Sequence, residues 1–249
     1  MSEPNDEVKS DPEVKNVEVT RCNVGGKKLA ELVVPSSPIM ILDCSFNKLR
    51  HIPFINGLKG LDCSDNKITK IEDIDSLEIL LCNNNQLVSL PKSSKLRKLE
   101  CSYNKIIEIP EYNDLEMLYT RENKLTKLPK LDNLIDLDCS DNSITEIPYL
   151  EKLTVLRCDF NPLTKIPELP ELLLLDCTRN VDLRIPYLKK LDILVCEGCK
   201  YFAEVGITDA SSYKDFIRLV DIFVFLIIHS KRKKEFLNRD LIHEMIKYF

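Results

Sequence analysis

From Ile39 to about Cys199, large aliphatic residues stand at fixed offsets from an asparagine that recurs every 19 residues. The asparagines are Asn47, Asn66, Asn85, Asn104, Asn123, Asn142, Asn161 and Asn180, and no insertion or deletion interrupts them. Five positions before each lies Leu42, Leu61, Leu80, Leu99, Leu118, Leu137, Leu156 or Leu175, and eight before lies Ile39 or a leucine. Three before is Cys44, Cys63, Cys82, Cys101, Cys139, Cys158 or Cys177, with Thr120 in the remaining copy. Two after comes Leu or Ile in every copy but the last, and Pro follows at plus six in all but one, where Glu72 replaces it. A period of this length predicts a solenoid, because each unit can bury its apolar face only against its neighbours.

The spacing within a unit predicts its local structure. Two apolar residues two apart share one face of a short strand, and identical strands stacked turn on turn form a parallel sheet. The Asn amide carries both donors and acceptors, so a ladder of them satisfies backbone groups where the chain turns away. Proline at plus six fixes φ and lacks an N–H, which suits an extended return path. Nineteen residues per turn leave no room for a long helix on the convex side.

The unit LxxLxCxxNxLxxIP closely resembles the leucine-rich repeat, LxxLxLxxNxL, with Cys in place of its third Leu. The resemblance covers roughly two thirds of the chain. It implies an α/β repeat fold: a leucine-rich-repeat solenoid with one parallel β-sheet of about nine strands on the concave face, extended convex segments and a C-terminal α-helical cap. The expected organisation is an acidic flexible leader (1–16), an N-terminal cap (17–38) using Val17, Val19, Leu29, Leu32 and Val34, repeats over 39–200, and a helical cap or tail over 201–249. The cap is expected because an uncovered end exposes both core and strand edge.

Among 249 residues, a 44% apolar fraction is enough for a packed core, and a net charge of −5 argues against general nucleic-acid binding. The first 18 residues have no basic and apolar stretches of the kind a secretory signal needs. Register accounts for most of the ten cysteines, since a free Cys in a narrow core behaves as a small hydrophobe. Cys196 and Cys199 form a CxxC, but Cys199 falls where the next ladder Asn is due, which favours a repeat Cys beside an Asn-to-Cys replacement over a redox or metal pair. Buried thiols fit a reducing compartment, so a cytoplasmic or nuclear location is expected.

Variable outward positions are where binding is sought. Four before the Asn stand Asp43, Asp62, Leu81, Glu100, Tyr119, Asp138, Arg157, Asp176 and Val195, and two before stand mainly Ser, with Arg121 and Asp159; Phe46, Tyr103 and Phe160 lie one before. Acidic residues outnumber basic ones, and aromatics punctuate them. The pattern points to a protein or peptide partner of basic character, with Tyr103, Tyr119 and Phe160 as hot spots flanked by Arg121 and Arg157. The competing reading is that Asp and Ser there only keep the face soluble.

In the tail, Phe216, Leu219, Val220, Phe223 and Ile227 recur at helical spacing and could cover the open end of the sheet. The apolar run 222–228 is too short for a bilayer, which takes ~20 residues. Lys231, Arg232, Lys233 and Lys234 read either as an import signal or as a solvated linker. The terminal FLNRDLIHEMIKYF puts Leu241, Ile242, Met245, Ile246 and Phe249 on one helix face. It resembles the opening helix of an F-box, LPxDLLxEIxxYL, with Asn238 in place of Pro and no further helices behind it. Similar shortened tails follow repeat domains in proteins of large DNA viruses, and the likeness implies a ubiquitin-ligase substrate adaptor docking a Skp1-type protein. The alternative is an amphipathic helix that packs on the cap.

The repeats are also similar to those of secreted bacterial effectors carrying a ubiquitin-ligase domain, but about fifty residues after the repeats are too few for that domain. His51, His229 and His243 lie on different elements with no nucleophile beside them, and no phosphate-binding glycine loop exists. The expected protein is a monomeric, non-catalytic interaction module with no cofactor, metal, nucleic acid or membrane.

Overall fold

A computed structural model describes residues 21–33, 38–200, 207, 209 and 211–215. The leader, Val17, Val19, Val34, the basic group 231–234 and the candidate docking side chains Leu241, Ile242, Met245, Ile246 and Phe249 lie outside the described residues. Ten three-residue strands form one parallel sheet in chain order: β1 (Arg21–Asn23), β2 (Ile41–Asp43), β3 (Gly60–Asp62), β4 (Ile79–Leu81), β5 (Lys98–Glu100), β6 (Met117–Tyr119), β7 (Asp136–Asp138), β8 (Val155–Arg157), β9 (Leu174–Asp176) and β10 (Ile193–Val195). Turns and extended segments connect them, and a helical turn over 211–215 follows.

Strand register follows from the repeat. From β2 to β10 the central residue is a leucine paired with the leucine of the next strand, and every one is buried. The strand cysteines from Cys44 to Cys196 are buried as well, and no disulfide joins them. A further column, eight after each Asn, closes the core with Ile55, Ile74, Ser93, Tyr112, Leu131, Leu150, Leu169 and Leu188. Within it the small Ser93 sits one coil before the large Tyr112. Ser93 Oγ donates to the Leu77 carbonyl at 2.7 Å, and the Tyr112 hydroxyl donates to Pro91 O at 2.7 Å, so neither buried hydroxyl lacks a partner.

The Asn ladder is continuous. Asn85 shows the pattern: its Nδ2 donates to Cys82 O (3.2 Å), Asn83 O (3.1 Å) and, one coil back, Cys63 O (3.0 Å), while its Oδ1 accepts the N–H of Ile68 at 2.9 Å. Asn47, Asn66, Asn104, Asn123, Asn142, Asn161 and Asn180 repeat both links to the preceding coil. At the next place in the series Cys199 Sγ donates to Cys177 O at 3.1 Å, so a thiol stands in for the amide.

Two departures from the sequence expectation concern the ends. The described residues form ten strands rather than about nine, because the segment expected to cap the coil forms β1, offset from β2 by 20 residues: Cys22 pairs with Leu42, and Leu29 N donates to Asn47 Oδ1. In the eighth copy the chain takes one extra residue into its turn, with Asn180 N donating to Cys177 O and Leu183 N to Asn180 O, both at 3.2 Å. Leu183 rather than Asp182 is therefore buried, and Val181 is turned out.

Candidate partner-binding face

Every second strand residue faces outward, so three columns line the sheet surface: six, four and two before each Asn. The column at minus four has a structural duty. In a regular parallel ladder the N–H at minus two would bond to the carbonyl at minus three of the preceding coil, but that carbonyl already accepts two ladder amides; Cys44 O takes Nδ2 of Asn47 and of Asn66, each at 3.0 Å. The displaced N–H turns to its own aspartate. Asp43 Oδ1 accepts Ser45 N (3.1 Å), Asp62 Oδ1 accepts Ser64 N (3.0 Å), Asp138 Oδ1 accepts Ser140 N (3.0 Å) and Asp176 Oδ1 accepts Thr178 N (3.1 Å). Four of the candidate carboxylates thus cap the strand ends, which leaves the second oxygen of each for other contacts.

The remaining candidates are tied to one another. Glu100 pairs with Lys98 Nζ at 2.8 Å and accepts Asn83 Nδ2 at 3.1 Å. Asp136 accepts both the Tyr119 hydroxyl (2.8 Å) and Arg157 Nη1 (3.2 Å). Arg121 Nη2 lies 2.6 Å from Asp141 and 3.6 Å from Asp159, which also accepts the Ser140 hydroxyl. Burial, with the hydrogen bond to Asp136, pushes the Tyr119 phenol up to about 12. Burial also raises the Asp141 carboxyl, against the opposing charge of Arg121. The two arginines are therefore held by intramolecular carboxylates, and Arg157 shares Asp136 with Tyr119.

Sequence reasoning missed the column at minus six, where Ile79, Met117 and Ile193 are exposed, with Val195 exposed on the same strand as Ile193. The signal was present: these residues lie two before Leu81, Tyr119 and Val195 and share their face.

Phe46, Tyr103 and Phe160 occupy the corner where the strand side ends. They are 65%, 45% and 49% exposed and adopt φ of +53°, +58° and +52°. Every copy from Phe46 to Arg179 has positive φ at this place. For a residue with a Cβ that conformation costs roughly 1–2 kcal/mol, less for Asn or Asp. Phe54, Tyr149 and Tyr187 are exposed on the return segments, away from these columns.

At the last coil a depression of about 350 Å³ is lined by Leu194, Val195, Cys196, Glu197, Gly198, Cys199 and Ile207. Burial pushes the Cys196 thiol up to about 11, so it stays protonated at neutral pH. Among the described residues no group of three or more His, Cys, Asp or Glu is placed to hold a metal ion, and no helix is long and apolar enough to cross a membrane.

A family model described as leucine-rich repeats (2 copies) matches residues 132–171. The coils are leucine-rich repeats. Their fold is similar to that of YopM, a leucine-rich effector protein from Yersinia pestis, at 26% identity and TM-score 0.60 over 70% of this chain and 59% of that one. Leucine-rich-repeat structures from Leptospira interrogans (LIC12759; 27% identity, TM-score 0.46, 59% of this chain and 50% of that) and Listeria monocytogenes (InlJ functional domain; 22%, 0.47, 65% and 49%) also match. The chain spans about half to three fifths of the length of these three. No curated protein matches the sequence significantly.

Proposed function

We propose that this leucine-rich-repeat chain is a non-catalytic protein-interaction module that holds a polypeptide of basic and apolar character against the outward columns of its sheet. The observation that carries the reading is the contrast between the two sides of each strand. The inward side is aliphatic or thiol and buried, with Thr120 the one hydroxyl in it, whereas the outward side leaves Ile79, Met117 and Ile193 exposed among Asp62, Glu100, Asp138 and Asp176. Aromatic and apolar anchors ringed by polar groups are the composition of binding hot spots, and the ladder holds them rigid at little entropic cost on binding. The ten free cysteines support an intracellular, reducing setting, and a monomer suffices for such a surface. Affinity capture with the full chain tests this: a Tyr119→Ala/Arg157→Ala variant is expected to lose the partner that the wild type retains. Equal recovery by both removes this face as the binding surface.

A second role rests on the terminal motif alone. Leu237, Asp240, Leu241, Ile242, Glu244, Met245, Tyr248 and Phe249 match the opening of an F-box in kind, which supports docking of a Skp1-type protein by the segment after the repeats. Co-purification of such a protein with the full chain, and its loss from a chain ending at Ser230, is the expected result; no association with the full chain eliminates the adaptor role.

A further inference from the structure

The corner residues just before each ladder position form a row along one edge of the sheet, one per coil: Phe46, Asp65, Asn84, Tyr103, Glu122, Asp141, Phe160 and Arg179. Aromatics occupy every third coil, and each stands 57 residues from the next. Nothing in the fold requires a ring here. The first and last units place glycine at the same corner, Gly26 at φ +70° and Gly198 at φ +73°, and Asp65 and Asn84 fill it in two others. Three exposed aromatics are thus kept in a backbone conformation unfavourable to them, at regular intervals, where smaller residues serve the fold.

The interval selects a ligand conformation. Coils repeat at the strand spacing of about 4.8 Å, so successive rings are about 14 Å apart. An extended chain advances about 3.4 Å per residue and returns to the same face every second residue, so its residues i, i+4 and i+8 fall at about 14 Å intervals on one face. A helix returns to one face after seven residues, about 10.5 Å, or eleven, about 16.5 Å. Polyproline II returns after three residues, about 9 Å, or six, about 19 Å. Neither matches. In each interval the coil directly after the aromatic carries a carboxylate, Asp65 after Phe46 and Glu122 after Tyr103, and neither makes an ion pair among the described residues. On the extended chain, residue i+2 lies about 7 Å past the anchor on the same face, within reach of that carboxylate for a lysine or arginine side chain.

We propose that Phe46, Tyr103 and Phe160 anchor an extended peptide segment in β-conformation that carries apolar side chains at every fourth position and a basic residue midway between them. This rests on the reading of the repeats as an interaction surface and names the segment recognised. The rings supply apolar contact, Asp65 and Glu122 set the register of the positive charges, and the coil spacing excludes a helical ligand.

The test is a titration of the full chain with labelled synthetic nonapeptides. One has leucine at positions 1, 5 and 9 and lysine at 3 and 7; the control has the same composition with leucine at 1, 4 and 8. Binding at least tenfold tighter to the first is expected. The Phe46→Gly/Tyr103→Gly/Phe160→Gly variant, and a second with Asn at all three positions, should lose at least tenfold for that peptide while unfolding at no lower temperature than wild type. Equal affinity for the two peptides, no saturable binding of the first up to about 1 mM, undiminished binding by both variants, or unfolding of both at lower temperature overturns the proposal. If both variants keep the native partner while Tyr119→Ala/Arg157→Ala loses it, the ridge is refuted and the interaction face stands.

Discussion

The stacked thiols make the protein sensitive to alkali, by an amount that follows from their burial. Cys44, Cys63, Cys82, Cys101, Cys139 and Cys158 are each essentially inaccessible, and burial is the leading cause that raises every one, to about 12 for Cys44 and Cys101. In the unfolded chain a thiol ionises near its ordinary value of 9.0. Between that value and the folded one, the folded protein binds more protons than the unfolded, so stability is complete below about pH 8 and falls as pH rises through 9 towards 12. One pH unit above the unfolded value each thiol loses about 1.4 kcal/mol. Six together lose about 8 kcal/mol by roughly pH 10, comparable with the whole 5–15 kcal/mol that holds a domain together. Cys177 and Cys199 share a hydrogen bond and shift in opposite directions, so their contributions oppose one another. The assay is urea unfolding under reducing conditions from pH 7 to 10.5. The control is Cys44→Thr/Cys82→Thr/Cys158→Thr, because Thr120 already occupies this column fully buried. The variant should make the alkaline decline shallower, recovering about 4 kcal/mol of the pH-dependent loss at pH 10. A wild-type stability flat between pH 8.5 and 10, or an unchanged slope in the variant, would refute the buried stack.

The ladder and the strand caps give smaller, separable effects. Asn85→Ala leaves the buried N–H of Ile68 without its acceptor and takes from the Cys63 carbonyl one of its two ladder amides, and should cost about 2–4 kcal/mol in urea unfolding; a loss under 1 kcal/mol would mean that the amide does not tie the coils. Asp138→Ala removes only the cap on Ser140 N and should cost about 1 kcal/mol, a loss that Asp138→Asn should largely restore because the amide oxygen can still accept; equal stability of wild type and both variants would assign Asp138 to binding alone.

Much of the fold was legible because one interval controls many positions. A residue at a fixed place in the 19-residue unit meets its own copy in the next coil, so the Leu, Cys and Asn columns could be read directly as buried, buried and bridging. Irregular pieces were less legible. Cys22, Val24 and Leu29 belong to a further unit, but Gly26 and Lys27 stand near where an Asn would mark it and the offset is 20, so periodicity alone stopped at Ile39. Leu183 enters the core one position late because a turn of hydrogen bonds from Cys177 to Asn180 and from Asn180 to Leu183 absorbs an extra residue. Ser93 and Tyr112 interrupt an aliphatic column, and only their packing one coil apart reveals it. At the candidate site the outward residues could be named, but not their engagements. A charge count treats Asp43, Asp62, Asp138 and Asp176 as free for a partner, whereas each already accepts a strand-end N–H. Likewise Arg121 and Arg157 read as flanking cations until Asp141 and Asp136 are seen beside them.

The claim that the sheet side of the coil is the working surface is tested most directly by hydroxyl-radical footprinting of the full chain, free and bound to the partner that the wild type captures. Exposed oxidisable side chains stand on both sides: Phe46, Tyr103, Met117 and Phe160 at the sheet and its edge, Phe54, Tyr149 and Tyr187 on the return segments. The account predicts protection of the first group with the second unchanged. Protection of Phe54, Tyr149 and Tyr187, with the sheet side still oxidised, would contradict it.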